Sequence, residues 1–238
     1  MTNLTGRVAL ITGASRGIGA AVAVELARCG ARCVLVARTQ GGLEETDDAI
    51  RALGAEATLL PLDLTRQVDK IDVLGPSIME RFGRLDILVH AAGALGTLTP
   101  VSHITPKDWG DVVGVNLTAT WRLIRTCEPP LRAAPAGRAV FLTTGRVAQP
   151  KPYWGAYGAT KAGMEHLVLT WAEEVANSPI RANLFDPGIV ATQMRAAAMP
   201  GEDQSRLRQP ADVAPSIAAL CGDEEGRNGA IVRLGAAG

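Results

Sequence analysis

The sequence predicts an α/β fold: a doubly wound, parallel, seven-stranded sheet with helices on both faces. Short apolar runs rich in branched side chains alternate along the chain with longer stretches of helical period. The first apolar run leads at once into a glycine-rich turn and then a helix. No linker, repeat or low-complexity tract interrupts this alternation, so we expect one domain over residues 1–238. Right-handed crossovers, with one reversal at the first strand, predict the order 3-2-1-4-5-6-7.

The first strand and its turn are residues 8–19, with the sequence VALITGASRGIG. Residues 8–11 are typical of a buried strand, and residues 18–29 have helical period. A helix N-terminus presents unpaired N–H groups and positive charge, which suit a phosphate, and glycines let it approach closely. We therefore favour dinucleotide binding over a plain tight turn. The candidate contacts in this turn are Gly13, Ser15, Arg16, Gly17, Ile18 and Gly19.

The spacing of the turn, G-x-x-x-G-x-G after Thr12, carries a family resemblance. TGASRGIG resembles the cofactor loop of the short-chain dehydrogenase/reductase family, whose fold is of Rossmann type. VNLTAT, YGATK and DPGIVAT follow in that family's order and spacing, so the resemblance covers essentially the whole chain. It implies an oxidoreductase that transfers a hydride between a nicotinamide and a carbonyl or secondary alcohol.

Composition and charge limit the partners and the location. The 24 basic and 24 acidic residues balance, so nothing favours nucleic acid or an anionic membrane. No secretory leader and no apolar run of roughly 18 residues is visible. The four cysteines show no C-x-x-C spacing, and the three histidines form no ligand pattern. We expect a cytoplasmic protein with reduced thiols and no metal site.

The residue after the second strand bears on the choice of cofactor. Residues 33–37 are that strand, and Arg38 follows where an NAD site would place an acidic residue. A guanidinium suits the 2′-phosphate of NADP, and Arg16 could add a second positive charge. The alternative is a solvated charge at the strand end. We expect NADP(H) to be preferred and NAD(H) to be the less favoured cofactor.

The third strand, residues 58–62, follows a helix at residues 42–53 and leads into Asp63 and Leu64. Asp63 either bonds the adenine amino group or caps the next helix, and both roles can hold together. The resemblance favours the adenine role, so Asp63 and Leu64 join the candidate cofactor contacts. The next helix, residues 67–82, contains Gly75-Pro76, which predicts a kink or break there.

The fourth strand, residues 85–90, ends at His90, and the small residues 91–93 follow it. Small side chains let a cofactor lie close to the backbone, so His90, Ala91, Ala92 and Gly93 are candidate contacts. The resembled family usually has two asparagines where this chain has His90 and Ala91. A histidine could brace the strand end through a ring nitrogen, and a catalytic role for it is the less favoured alternative.

Four residues are the catalytic candidates: Asn116, Thr144, Tyr157 and Lys161. Asn116 lies in a helix that begins at the cap Thr105 and reaches about residue 124. It is either a surface or locally bonded residue or, as the resemblance implies, one that bends the helix and holds a proton-relaying water. The fifth strand, residues 139–143, precedes Thr144, where a serine is usual. Threonine keeps the hydroxyl, but its methyl group restricts the rotamer.

Tyr157 and Lys161 lie four residues apart, on one face of a helix that reaches about residue 176. Y-x-x-x-K alone arises often by chance, and its weight comes from its position after the other motifs. The resemblance implies that Tyr157 exchanges the proton and that Lys161 holds the nicotinamide ribose. We expect Lys161 and an oxidised nicotinamide to lower the pKa of Tyr157 below about 10.

The sixth strand, residues 180–185, precedes DPGIVAT, in which Pro187, Gly188, Ile189 and Thr192 are the candidate nicotinamide contacts. Residues 193–209 are either a lid over the substrate or a variable surface excursion, and we favour the lid. A helix at 210–220 and a seventh strand at 230–234 complete the fold. The expected pocket is fairly apolar, with Arg146 able to meet an acidic group; its lining is Leu95, Val147, Tyr153, Trp154, Ile189 and Met194.

Two functions remain open at this point. The first is an NADP(H)-dependent oxidoreductase acting on a small carbonyl or alcohol substrate. The second is a catalytically weakened NADP(H)-binding sensor or scaffold, which Thr144 and His90 keep open. The family is often oligomeric, and apolar helix surfaces around residues 121–124 and 167–171 suit pairing, so we expect a homodimer or homotetramer.

Overall fold

The computed structural model describes residues 2–234, so residue 1 and residues 235–238 of the predicted domain lie outside it. One parallel sheet of seven strands runs in the predicted order, β3-β2-β1-β4-β5-β6-β7. The strands are β1 (Val8–Thr12), β2 (Arg32–Ala37), β3 (Thr58–Pro61), β4 (Ile87–His90), β5 (Arg138–Leu142), β6 (Arg181–Asp186) and β7 (Ile231–Arg233). The helices are α1 (Gly17–Arg28), α2 (Gln40–Arg51), α3 (Val68–Asp72), α4 (Leu74–Phe82), α5 (Pro106–Val113), α6 (Ala119–Arg132), α7 (Gly155–Glu174), α8 (Gln193–Ala198) and α9 (Pro210–Leu220).

Two apolar cores lie on opposite faces of this sheet. The strands β1, β4 and β5 are buried along their whole length, as expected for a parallel sheet covered on both faces. On one face α1 and α9 pack together through residues such as Leu26 and Ile217. On the other face α6 and α7 bury Leu123, Met164 and Trp171 against the same strands. The two layers hold the central strands in a fixed register.

The register of the central strands brings their carboxyl ends level. Thr12 of β1 pairs with His90 of β4, and His90 pairs with Phe141 of β5. The glycine turn, the small-residue segment after β4 and the threonines after β5 therefore leave the sheet at one edge. This edge is where a doubly wound sheet binds its ligands.

The glycine turn closes tightly against the segment after β4. Gly13 has a φ of +70°, and a Cβ atom there would lie 2.7 Å from the Ala92 nitrogen. A Cβ atom at Gly19 would collide with the carbonyl oxygen of Gly13. Larger residues at either position would force the turn apart, which accounts for these two glycines.

The helix predicted over residues 67–82 breaks at Val73, and not at Gly75-Pro76. Gly75 and Pro76 both lie in the first turn of α4. Proline is tolerated there because the N–H group that it lacks would have no acceptor within the helix. Gly75 serves a packing contact, because its Cβ atom would collide with the Thr126 carbonyl oxygen of α6. Its N–H group donates to Thr126 Oγ1 at 3.0 Å.

The helix predicted from Thr105 begins as expected and then changes its winding. The Thr105 hydroxyl accepts the Asp108 N–H at 3.1 Å and caps α5. A π-helical turn, Gly114–Thr118, separates α5 from α6 and contains the fully buried Asn116. Such turns displace a side chain from the regular helical pattern and occur often at functional sites.

The apolar surfaces expected to suit subunit pairing are largely consumed within the chain. Leu123, Ile124, Val168 and Trp171 are all buried against the sheet. Trp121, a large apolar side chain of α6, remains 46% exposed. The prediction of an apolar pairing surface was therefore wrong for most of these residues, because their helical spacing turns them toward the core.

We expect Gly75→Ala to destabilise the protein by about 1–3 kcal/mol, because the added methyl group overlaps the Thr126 carbonyl oxygen. The matched control is Gly110→Ala in α5, where no atom lies within 4 Å of the added Cβ atom. It should stabilise the helix by about 0.5–1 kcal/mol. Urea denaturation measures both. Equal effects of the two substitutions would contradict the close contact between α4 and α6.

Candidate active site

The N-terminus of α1 is free to receive an anion. Its N-cap, Arg16, makes no capping bond through its side chain, and no acidic residue lies in the first turn. Gly17 has a φ of +58°, and its Cβ position lies 3.5 Å from Thr192 Cγ2. The turn is therefore bounded by the segments that follow β4 and β6. Unpaired amides in a crevice closed by glycine contacts fit the pyrophosphate of a dinucleotide.

Arginines occur in the segments that follow β1, β2 and β3. Arg38 is exposed directly after β2, and Arg16 is also exposed. The Arg16 guanidinium donates to Gln193 Oε1 at 2.6 Å, a contact to α8 that the sequence did not indicate. Arg66 and Arg38 both help to lower the pKa of Asp111, after the larger effect of Lys107. Arg66, like Arg38, is therefore a positive charge that acts on Asp111, and sequence reasoning missed it.

Asp63 caps the turn that follows β3. Its Oδ1 accepts the N–H groups of Thr65 at 2.8 Å and Arg66 at 3.1 Å. Asp63 therefore caps this turn and not the next helix, because α3 has Gln67 as its N-cap. The expectation of a helix cap at Asp63 is wrong, and the adenine contact stays a prediction for Asp63 and the buried Leu64. An Asx turn of this kind leaves the second carboxylate oxygen outside these two bonds.

His90 braces the ends of β1 and β4. It is completely buried, and its Nδ1 lies 2.7 Å from the Thr12 hydroxyl. That hydroxyl accepts the Ala92 N–H at 3.3 Å, so its own proton is available to His90. Burial lowers the pKa of His90 to about 3, and the charge of Lys161 lowers it further, against an opposing effect from the Val115 backbone. The ring is neutral and structural, as the bracing interpretation expected.

Asn116 joins the segment after β4 to α7. Its Oδ1 accepts the Ala94 N–H at 2.9 Å, and its Nδ2 donates to the Ala94 carbonyl, also at 2.9 Å. Nδ2 also donates to the hydroxyl of Thr160 at 3.0 Å. Three bonds satisfy this buried amide, so the surface alternative is wrong. Thr160, which sequence reasoning missed, lies directly before Lys161.

Tyr157 and Thr144 form a hydroxyl pair. The Tyr157 side chain is buried, and the Thr144 hydroxyl is near enough to its phenol to affect the phenol's pKa. Burial raises the pKa of Tyr157 to about 12; the Thr144 hydroxyl opposes this rise, and the charge of Asp186 adds to it. The lowering that we expected from Lys161 is thus outweighed, and the lowering by an oxidised nicotinamide stays a prediction. The sequence indicates nearby charges but does not give the extent of desolvation, which dominates here.

Lys161 is a buried ammonium held at the end of β5. Its Nζ donates to the Leu142 carbonyl at 2.7 Å and lies 3.6 Å from the sulfur of Met164. Burial lowers its pKa to about 8, and the carboxylate of Glu165 opposes this lowering. The pKa values of Tyr157 and Lys161 thus move in opposite directions from similar ordinary values.

Gly93 marks the point where these elements meet. A Cβ atom built on it would lie 3.6 Å from Asn116 Oδ1, 3.9 Å from Lys161 Nζ and 3.7 Å from Met194 Cε. The segment after β4, the π turn, α7 and α8 therefore converge at one spot. A glycine here leaves room beside the ammonium and the amide.

The segment after β6 supplies the other side of the crevice. Asp186 Oδ1 accepts the Gly188 N–H at 3.0 Å, Gly188 has a φ of +69°, and Pro187 is buried. The hydroxyl of Thr192 accepts the Arg195 N–H at 3.1 Å and caps α8. The nicotinamide contacts expected for Pro187, Gly188, Ile189 and Thr192 stay predictions.

Residues 193–209 fold over this edge as α8, a short 3₁₀ turn (Gln204–Arg206) and a return bridge between Val190 and Arg208. Arg195 and Glu202 form a bidentate ion pair, at 2.5 and 2.6 Å, that closes the excursion on itself. Met194 reaches Gly93, so the segment borders the candidate site. Its interpretation as a lid stays a prediction.

The apolar side chains that we expect to line the substrate pocket differ in their exposure. Leu95, Val147, Trp154 and Met194 are half-buried, while Ile189 is 53% exposed. The Trp154 ring meets the Tyr157 ring edge-on at 5.8 Å between centroids. The half-buried Arg146 donates its backbone N–H to the Thr144 hydroxyl at 3.3 Å. Met194 thus lies beside Gly93 and Trp154 beside Tyr157, and the lining of the pocket by the other residues stays a prediction.

Tyr153, which directly precedes Trp154, has an unusual backbone conformation. Its φ of +76° is the one positive value at a residue other than glycine within residues 2–234, and its side chain is 57% exposed. A bulky residue in this conformation is strained.

Within the same part of the chain, no helix is long and apolar enough to cross a bilayer. No group of three potential metal-ligating side chains occurs there either.

Comparisons with known proteins extend over nearly the whole chain. A family model described as short chain dehydrogenase matches residues 7–203. The chain is 36% identical over 226 residues to the uncharacterized oxidoreductase YciK of Escherichia coli K12, covering 94% of this chain and 89% of YciK. A short-chain dehydrogenase structure from Pseudomonas syringae matches with a TM-score of 0.93 at 36% identity, covering 97% of this chain and 95% of that one. Another, from E. coli CFT073 and complexed with NADPH, has a TM-score of 0.92 at 35% identity, with 97% of each chain covered.

We expect the buried ammonium of Lys161 to make stability depend on pH. Its pKa is about 8 in the folded protein against 10.5 ordinarily, so the unfolded chain binds more protons between these values. Stability therefore rises with pH across this window. Relative to Lys161→Met, the wild type should gain on the order of 3 kcal/mol between pH 7.5 and 10.5.

Urea denaturation at a series of pH values measures this difference, in which the titrations common to both proteins cancel. The matched control is Lys70→Met, which removes an exposed lysine of α3 and should give a difference that does not change with pH. A flat difference for Lys161→Met as well would contradict the burial of its charge.

Proposed function

Since the chain belongs to the short-chain dehydrogenase family, we propose that it is an NADP(H)-dependent oxidoreductase with a small, fairly apolar carbonyl or secondary alcohol as substrate. One observation carries the proposal. Lys161 Nζ and Asn116 Oδ1 converge beside Gly93. Tyr157 lies one turn before Lys161 on α7, and the Thr144 hydroxyl, from the segment after β5, acts on its phenol. A proton donor, a cation and a hydroxyl at the edge of a nucleotide crevice are the groups that carbonyl reduction needs.

In this proposal Tyr157 donates its phenolic proton to the carbonyl oxygen of the substrate. A bound nicotinamide supplies the hydride in reduction and accepts it in alcohol oxidation. A pKa of about 12 keeps Tyr157 protonated at neutral pH, which suits a donor. The Thr144 hydroxyl bonds the same oxygen and opposes the rise in pKa. The ammonium of Lys161 favours the phenolate left behind and holds the ribose hydroxyls.

Asn116 contributes by fixing the backbone around the reacting groups. Its side chain is committed to Ala94 and Thr160, and its own carbonyl accepts the Thr120 hydroxyl at 2.9 Å. That carbonyl retains a second lone pair in the π turn, which suits the proton-relaying water implied by the family. Activity in reduction should fall on the alkaline side as Lys161 loses its charge.

We expect Tyr157→Phe to abolish carbonyl reduction and Thr144→Ala to lower kcat by roughly 10²-fold, because each removes a hydroxyl that stabilises charge on the substrate oxygen. Steady-state assays with a panel of aldehydes, ketones, quinones and 3-oxoacyl thioesters measure both. Thr144→Ser is the matched control for the hydroxyl and should stay active. Tyr153→Phe removes an exposed neighbouring phenol and should keep kcat. An unchanged kcat in Thr144→Ala would exclude Thr144 from the site.

The preference for NADP(H) rests on positive charge at the adenosine end. Arg38 follows β2 directly, no carboxylate stands in its place, and Arg66 and Arg16 add charge in this region. Gln193 holds Arg16 at 2.6 Å, so Arg38 is the better-placed partner for a 2′-phosphate. The E. coli CFT073 neighbour bound to NADPH supports the same preference.

We expect Arg38→Ala to raise the KM for NADPH by roughly 10- to 100-fold and to leave the KM for NADH nearly unchanged, since only NADPH carries the phosphate. The matched control is Arg32→Ala, at the opposite end of β2, which should alter neither value. Equal effects of Arg38→Ala on both cofactors would contradict this assignment.

A second candidate, an NADP(H)-binding sensor or scaffold with weakened catalysis, is favoured by the strong burial of Tyr157 and by Thr144. Cofactor binding without cofactor oxidation across the substrate panel would select this second candidate.

We also propose a homo-oligomer, dimer or tetramer, in which the exposed Trp121 contributes to an interface. A cytoplasmic location accords with the four unpaired thiols.

A further inference from the structure

Glu165 lies one helical turn after Lys161 on α7 and is half-buried. Its carboxylate accepts a hydrogen bond from the hydroxyl of Thr143, which is buried directly after β5. The preceding residue, Leu142, accepts the bond from Lys161 Nζ at 2.7 Å. Two neighbouring residues of one strand end are thus held by two side chains of one helix face.

We propose that Glu165 is a positioning residue for the reaction: it holds Thr143, and so Thr144, against α7, and its negative charge keeps Lys161 protonated. This inference rests on the proposed function of the site. Thr144 follows Thr143 directly, so the strand end that Glu165 holds is the one that presents the hydroxyl to Tyr157. Nothing in the resemblance of the sequence to its family called for this carboxylate.

The charges around Lys161 leave Glu165 as its main counterion. His90 of β4 faces it as a neutral ring. Tyr157, on the same helix, is a neutral phenol, and the charge of Asp186 at the end of β6 acts on that phenol. Glu165 alone opposes the lowering of the Lys161 pKa by burial. Without this carboxylate, Lys161 should lose its proton at a lower pH.

The two parts of the proposed role can be separated by substitution. Glu165→Gln keeps a group that can bond Thr143 and removes the charge. Thr143→Val removes the hydrogen bond and keeps the charge. A purely structural role would affect stability and activity at every pH alike, so the pH profile distinguishes the two.

The first experiment is the pH profile of kcat/KM for carbonyl reduction. Glu165→Gln should move the alkaline limb to lower pH by about 1 unit. Glu165→Asp should restore the wild-type limb, and Thr143→Val should lower kcat several-fold with the limb unmoved. Glu174→Gln, on an exposed carboxylate at the end of α7, is the matched control and should match the wild type. Superimposable pH profiles for Glu165→Gln and the wild type would overturn the proposal that the charge of Glu165 keeps Lys161 protonated. An unchanged kcat in Thr143→Val would overturn the proposal that Glu165 positions Thr144 by holding Thr143.

The second experiment needs neither cofactor nor substrate. The pH at which stability begins to rise reports the Lys161 proton, and Glu165→Gln should move that onset below its wild-type position near pH 8. An unmoved onset would overturn the proposal. A moved onset in a protein that reduces no substrate would support the link between Glu165 and Lys161 while the proposed function fails. If Glu165→Gln is too unstable to purify, Thr143→Val with a wild-type kcat would overturn the proposal by itself.

Discussion

The strand register aligns the carboxyl ends of β1, β4 and β5. The rest of the site depends on this alignment. Thr12 pairs with His90 and His90 with Phe141, and the buried bond between Thr12 and His90 locks the first of these pairs. A slip by one residue would turn every side chain of a strand to the other face. The glycine turn, Gly93 and Thr144 would then no longer meet. The hydrogen bond between Thr12 and His90 thus fixes the strand register, although its net contribution to the free energy of folding is small.

Burial moves the pKa values of Tyr157 and Lys161 in opposite directions. Tyr157 and Lys161 ordinarily titrate at nearly the same pH, at 10.0 and 10.5, yet the protein moves one pKa to about 12 and the other to about 8. Environments that push two pKa values apart are characteristic of acid–base sites. The same burial penalises the ammonium, and the Leu142 carbonyl and the Glu165 carboxylate offset part of that cost. Stability and reactivity are therefore coupled at Lys161.

Much of the fold was predictable because it follows from local sequence, while the catalytic set stays a prediction. Apolar runs gave the strands, and Tyr157 and Lys161 share a helix face by spacing alone. The break at Val73 was not predictable, because the glycine nearby serves a contact with Thr126 far along the chain. Glu165 could have been found four residues after Lys161, and Thr160 three residues after Tyr157, by continuing the helical period. The raised pKa of Tyr157 could not, because desolvation depends on how the layers pack.

The most direct test of the central claim is a crystal structure of the protein with NADP⁺. The account predicts that the nicotinamide ring lies between Gly188 and the Tyr157 hydroxyl, with the ribose hydroxyls at Lys161 Nζ and the 2′-phosphate at Arg38. A nicotinamide bound with its C4 atom turned away from Tyr157, or a cofactor seated outside the crevice of Gly13 and Gly93, would contradict it.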